Sequence, residues 1–182
     1  MVDTSATRTG RSPHVAGLFR DRESAENAYN TLTERGYTRD DINVMMSDKT
    51  RDAYYPANSV RESELGSKAL EGAGVGGAIG GAAGAIVGAL AAIGTTLFLP
   101  GLGLVIAGPI AAALAGAGAG GLTGGLVGAL IGAGIPEEHA KVYDKGIREG
   151  GVVVGVNPRS EADADYVARK WQDYRGENIY RG

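Results

Sequence analysis

Val15-Ala-Gly-Leu-Phe-Arg-Asp-Arg-Glu-Ser-Ala-Glu-Asn-Ala-Tyr-Asn-Thr-Leu32 changes its period halfway. The run from His14 to Phe19 is short and apolar, as a strand is. Asp21 stands where a helix needs an N-cap, its carboxylate free to accept the amide protons of the first turn. Ala25, Ala28, Tyr29 and Leu32 then recur at helical spacing, and Gly36 supplies the C-terminal stop. Ile42, Val44 and Met46 follow in alternation, the pattern of a half-buried strand. Residues 14–48 therefore read as one β-α-β unit.

That unit recurs at the other end of the chain. A shift of 139 positions lays Val15 on Val154, Arg20 on Arg159, and the cap Asp21 on Ser160. It also lays Ala25, Ala28 and Leu32 on Ala164, Val167 and Trp171. Val152 to Val156 is the strand, Ser160 and Asp163 open the helix, and Gly176 closes it before Asn178-Ile179-Tyr180. An additional helix starts at Pro136-Glu137-Glu138, runs along Ala140, Tyr143 and Ile147, and ends at Gly150-Gly151. Each half is too small to bury a core alone. Together they predict an α+β fold: a split ferredoxin-like sandwich, βαβ-insert-αβαβ, with a long helical hairpin between its second and third strands. The expected parts are a disordered leader at 1–13, the first half at 14–48, a linker at 49–65, the insert at 66–135 and the second half at 136–182.

The insert has a composition of its own. From residue 72 to 136 there is no Asp, Glu, Lys, Arg or His, a run of 65 residues. Gly72, Gly76, Gly80, Gly84 and Gly88 recur every fourth residue, and so do Gly116, Gly120, Gly124, Gly128 and Gly132. On a helix that step makes one smooth stripe, which lets another backbone approach closely. Glycine costs about 1 kcal/mol per helical position relative to alanine, so ten of them in two matched ladders are expected to be packing residues. Bulk sits on other faces, at Val75, Ile79, Ile86, Val87 and Leu90 in one arm, and at Leu122, Leu126, Val127, Leu130 and Ile131 in the other. As a helix, 72–98 would extend about 40 Å, enough to cross a bilayer with tilt. Thr95 to Pro109 is an apolar turn broken by Pro100 and Gly101, expected at the far interface or as a re-entrant wedge. Lys68, Lys141 and Lys145 at the base agree with a cytoplasmic base. The competing expectation is a soluble oligomer that buries the same faces.

Charge and composition remove several function classes. The chain carries 18 Lys+Arg against 21 Asp+Glu, split evenly between its polar ends, so neither end has the basic excess of a nucleic-acid binder. With no cysteine, thiol catalysis, thiolate metal sites and disulfides are all excluded. The polar start lacks an apolar run of signal-peptide length, which predicts cytoplasmic termini. Residues 72–77 and 116–121 match G-x-G-x-x-G, but a glycine ladder generates such matches, and no acidic residue follows within the insert. His14 and His139 are the only histidines and make a thin metal site. Asp40-Asp41 fits a solvated turn, and Glu137-Glu138 a helix start. Tyr54-Tyr55 lies in expected linker and is the candidate for a lipid-headgroup contact, whereas Trp171 and Tyr174 fit a buried stripe. No nucleophile-base pair follows from spacing. No catalytic residue, metal or cofactor is expected.

Val15-Ala-Gly-Leu-Phe-Arg-Asp-Arg-Glu-Ser-Ala-Glu, with Leu32-Thr-Glu-Arg-Gly-Tyr and Asp41-Ile-Asn-Val, resembles the general stress protein 17M-like (YflT-type) domain. The glycine-rich insert, Pro136-Glu-Glu-His-Ala-Lys-Val-Tyr and Gly150-Gly-Val-Val-Val are similar to the low-temperature-induced bacterial stress proteins. The resemblance covers about residues 14 to 180 and implies a stress-response role without catalytic activity. The expectation is thus a non-enzymatic, membrane-anchored homo-oligomer in the inner membrane, its partner the lipid bilayer and not nucleic acid. The alternative is a cytoplasmic oligomer whose head binds a ligand or a partner.

Overall fold

A computed structural model describes residues 14–56, 86, 96–99, 103–112 and 125–182, with 96–99 as backbone. The first half folds as β1 (Val15–Phe19), α1 (Arg22–Glu34), a short 3₁₀ turn (Arg39–Asp41) and β2 (Ile42–Ser47). Asp21 caps α1 by accepting from the Ser24 amide at 2.8 Å, and Gly36 adopts a φ of 79° beyond its end. The second half supplies α4 (Glu137–Arg148), β5 (Val152–Val156), α5 (Glu161–Asp173) and β6 (Glu177–Arg181). Ser160 caps α5 from its hydroxyl to the Asp163 amide, 3.1 Å away. Asp163 does not complete a reciprocal box. Its carboxylate instead accepts from Arg35 Nε at 2.8 Å and from the Tyr37 hydroxyl at 3.1 Å, which ties the end of α1 to the start of α5.

Two expectations about the middle of the chain are corrected. Residues 49–54, expected as linker, belong to the helix α2 (Asp48–Tyr54), which forms because Ser47 caps it at the Thr50 amide. The apolar turn is not the tip of a helical hairpin either. Thr96–Leu99 and Leu104–Ala107 are strands β3 and β4, which pair with each other, and β4 pairs with β2 from Val44↔Ala107 to Ser47↔Leu104. Both runs contain only four residues, too few for helical packing to outweigh an open strand edge on β2.

All neighbours in the resulting six-stranded sheet are antiparallel, in the order β3-β4-β2-β5-β1-β6. Helices α1 and α5 cover one face, where Val15, Phe19, Val44, Met46, Val154 and Trp171 form a core. The other face packs Ala16, Leu18, Met45, Ile106 and Val153 against α4 and against α3 (Gly125–Gly132). The half-buried reading of β2 is therefore corrected. Asn43 and Met45, on the side expected to be wet, are each 1% exposed, because Leu126, Leu130, Ala140, Tyr143 and Ile147 lie over them and their neighbours. Sheets covered on both faces read as continuous apolar runs, which is why Val152-Val-Val-Gly-Val156 shows no alternation.

Candidate functional site

The most unusual chemistry among the described residues lies beneath α1. Glu26 sits on the flank of the stripe formed by Ala25, Ala28, Tyr29 and Leu32, and is 1% exposed. Its Oε2 accepts from the backbone N–H of Ile86 at 3.3 Å, a contact with the uncharged segment. Oε1 lies 3.9 Å from Arg22 Nε, beyond hydrogen-bond reach. Oε1, the Tyr29 hydroxyl and the Tyr55 hydroxyl are buried without a hydrogen-bond partner among the described residues. Burial pushes the Glu26 carboxyl up, against smaller opposing pulls from the Ile86 amide, Arg22 and Tyr55. Burial likewise pushes Tyr29 up to about 12, and raises Tyr55 further, with the Glu26 charge adding to it. Buried oxygens in an apolar core are costly unless they are hydrogen-bonded, and the electrostatics pair Glu26 with the Tyr55 hydroxyl.

His14 forms a second buried polar point, at the far end of β1. Its Nδ1 donates to Asn157 Oδ1 at 2.5 Å, and Nε2 is buried without a partner among the described residues. Burial pushes its pKa below the usual 6.5, partly offset by the Asn157 bond. His139 lies elsewhere, its ring centroid 5.0 Å from that of Tyr180. Among the described residues no three of His, Asp and Glu gather as a metal set.

The remaining candidates take structural places. Asp41 accepts from the backbone and hydroxyl of Thr38 and sits 3.6 Å from Arg159, the solvated turn its position suggested. Glu137 pairs with Lys141 at 2.6 Å in the first two turns of α4. Trp171 is fully buried, donates from Nε1 to the Ala28 carbonyl at 3.1 Å and meets Phe19 edge-on at 5.6 Å. Tyr55, expected at a lipid headgroup, is corrected: it is 1% exposed, with the Arg22 guanidinium 5.2 Å from its ring centre. Two shallow surface concavities, one on α5 by Tyr166, Arg169 and Asp173 and one at Pro136 to Lys141, hold no nucleophile beside a base.

Of the ten ladder glycines, Gly128 and Gly132 fall on α3. The other eight, and both G-x-G-x-x-G matches, lie outside the described residues. Among the described residues, a methyl group built on Gly128 or Gly132 would meet nothing within 4 Å. Beside them Ile131 is 44% exposed, while Leu126 and Leu130 on the opposite side are buried. Among the described residues, helix α3 therefore turns Leu126 and Leu130 to the sheet and carries Gly128, Ile131 and Gly132 on its other side. Sequence spacing found that stripe but not Glu26, which is one of four acidic residues between positions 21 and 34. The only signal was its place beside the apolar stripe at 25, 28, 29 and 32. No family model matches the chain, and no curated protein or solved structure matches it.

Proposed function

We propose that this is a non-enzymatic stress-response protein that self-assembles through its uncharged segment, with an interrupted ferredoxin-like head. The strand order β6-β1-β5-β2, with α1 and α5 on one face, supports that reading of the head. Strands β3 and β4 extend the sheet beyond β2. The role in stress rests on the resemblance of the two polar halves to the general stress proteins. Assembly rests on one observation, the outward stripe of Gly128, Ile131 and Gly132 on a helix otherwise docked to the head. Small residues on such a face let a second helix approach to backbone contact.

Chain length favours assembly over a two-way membrane crossing. The chain is in the sheet of the head at Thr96, and Ile86 before it is buried in the core of the head. Residues 72–95 number 24, and 113–124 number 12. Leaving a head, crossing a bilayer and returning takes about 40 apolar residues. No helix among the described residues is long and apolar enough to cross a membrane. A second reading, shallow docking on an inner-membrane surface, is favoured by the exposed Ile131 and Val142 beside a wholly uncharged run.

Light scattering on the purified chain, with flotation on anionic vesicles, tests both readings. Self-assembly predicts an oligomer without detergent that Gly128→Leu dissociates. A monomer that floats leaves the membrane reading standing. A monomer that does not float removes both.

A further inference from the structure

We propose that His14 is a proton-operated catch at one end of the sheet. A proton on its Nε2 turns the ring out to water and frees the last residue of β6. The proposal uses β1, β5 and β6 and does not depend on the assembly reading.

Three strand ends build the catch. His14 directly precedes β1, is 5% exposed and shares the face of Ala16, which belongs to the core beneath α3 and α4. Beyond the end of β5, Asn157 Oδ1 accepts from its Nδ1 at 2.5 Å. Within β5, Gly155 leaves room beside the other ring nitrogen, where a Cβ would stand 3.6 Å from Nε2. Past β6, the Gly182 amide donates to the His14 carbonyl at 2.9 Å. One residue thus seats its side chain in the sheet face and holds the end of β6 by its backbone.

The ring is seated in its neutral form. An amide oxygen only accepts, so Nδ1 carries the proton and the lone pair lies at Nε2. Nε2 is buried and has no hydrogen-bond partner among the described residues. A proton added there makes a buried cation whose new N–H meets no acceptor in place. Turned out, the same imidazolium is hydrated, so proton uptake and opening are linked. The β1–β5 ladder starts at Val15, so the ring can leave without unpairing those strands. The swing moves the residue whose carbonyl holds Gly182, which uncouples the end of β6.

Charged and titratable groups surround the site without engaging the ring. From β6 come Tyr180, the Gly182 carboxylate, and Arg181, which is turned to Glu161 and Asp165 of α5. Helix α4 brings His139 against Tyr180, and Tyr143 bound to the Ala16 and Asn178 carbonyls. Before β2 stands Asp41, held by Thr38 and Arg159, and within it Asn43 lies opposite Gly155. Helix α3 is uncharged. Burial lowers the closed ring below 6.5 and the Asn157 bond opposes it, with no charge among the described residues acting on it. The open ring regains its usual affinity, so opening gains as pH falls below 6.5 and levels off at the closed value.

Hydrogen exchange of the Gly182 amide in the full chain, normalised to the unfolded-chain rate from pH 7.5 to 4.5, follows the catch. Protection should hold above 6.5 and fall by up to about tenfold per pH unit below it, while the Val154 amide of β5 stays protected. His14→Gln should remove the pH dependence. Gly155→Ser brings a hydroxyl within reach of Nε2, where it donates to the neutral ring. Its protection should exceed that of Gly155→Ala, which fills the same space without a donor, and should go on falling to a lower pH. A flat Gly182 profile in the unaltered chain overturns the proposal, as does an unchanged fall in His14→Gln or equal profiles for the two Gly155 variants. Should Gly155→Ser fail to fold, the unaltered and His14→Gln profiles decide.

Discussion

Gly108 shows how much a single residue decides where β4 leaves the sheet. Its φ is 98°, and a Cβ there would sit 2.1 Å from the Ile42 carbonyl oxygen. Two positions on, the Ile110 amide donates to the buried Asn43 Oδ1 at 2.8 Å, so the chain is fixed against β2 from both sides. Gly108→Ala combines left-handed strain with a backbone clash, and should cost about 3 kcal/mol in urea denaturation. A loss below about 1 kcal/mol would mean that β4 is not held against β2. Tyr143 is a milder case. Its hydroxyl lies 2.9 Å from the Ala16 carbonyl and 2.7 Å from that of Asn178, joining β1 to β6 beneath α4. Tyr143→Phe should cost about 1 to 2 kcal/mol, because buried acceptors lose their donor while the packing is unchanged. Neither role was legible beforehand. The sequence around Gly108 shows glycine and proline in an apolar run, and the carbonyl that excludes a side chain there lies 66 positions away.

At the scale of elements, caps and stripes were legible because they depend on neighbours in sequence. Asp21, Ser160, Gly36 and Gly150 all bound the helices they were expected to bound. Strands β3 and β4 were not legible. Beyond the terminal Thr96, Thr96-Leu-Phe-Leu99 and Leu104-Val-Ile-Ala107 have no polar position from which a period of two could be told from one of 3.6. What selects strand there is the open edge of β2, a partner distant in sequence. Helix α3 yields a prediction that separates local propensity from assembly. Among the described residues nothing meets a Cβ at Gly128, so Gly128→Ala should stabilise the monomeric head by about 0.5 to 1 kcal/mol. The same methyl group narrows the approach of a second helix, so the oligomer should weaken in sedimentation velocity while the melting temperature rises. Both quantities moving together in the same direction would mean that the stripe is not an assembly face.

Across the whole molecule, two buried titratable groups act on opposite sides of one pH window. The helix pair α1 and α5 was expected from the 139-residue repeat, but the coverage of the second face by α3 and α4 was not, so the sheet is drier than its sequence suggests. That dryness is what perturbs the titrations. His14 is held below its usual 6.5 by burial, so the unfolded chain takes up a proton that the folded chain refuses. Its contribution to stability is present above 6.5 and is lost as pH falls toward the folded value. Glu26 is held above 4.5, so the folded chain binds a proton that the unfolded chain has released, and its contribution is lost as pH rises. Between pH 7 and 5 the two slopes oppose, and the unaltered chain should show a shallow profile. Removing either group exposes the other. Urea midpoints of His14→Gln should rise from pH 7 to pH 5, while those of Glu26→Gln should fall over the same interval. Each slope is limited to about 1.4 kcal/mol per pH unit for one proton. Asp41 and Asp163, both held below 3.8 by hydrogen bonds, lose their contribution only as pH falls below that window and so do not interfere. Parallel profiles in the two variants would show that neither buried group retains its perturbed affinity for the proton.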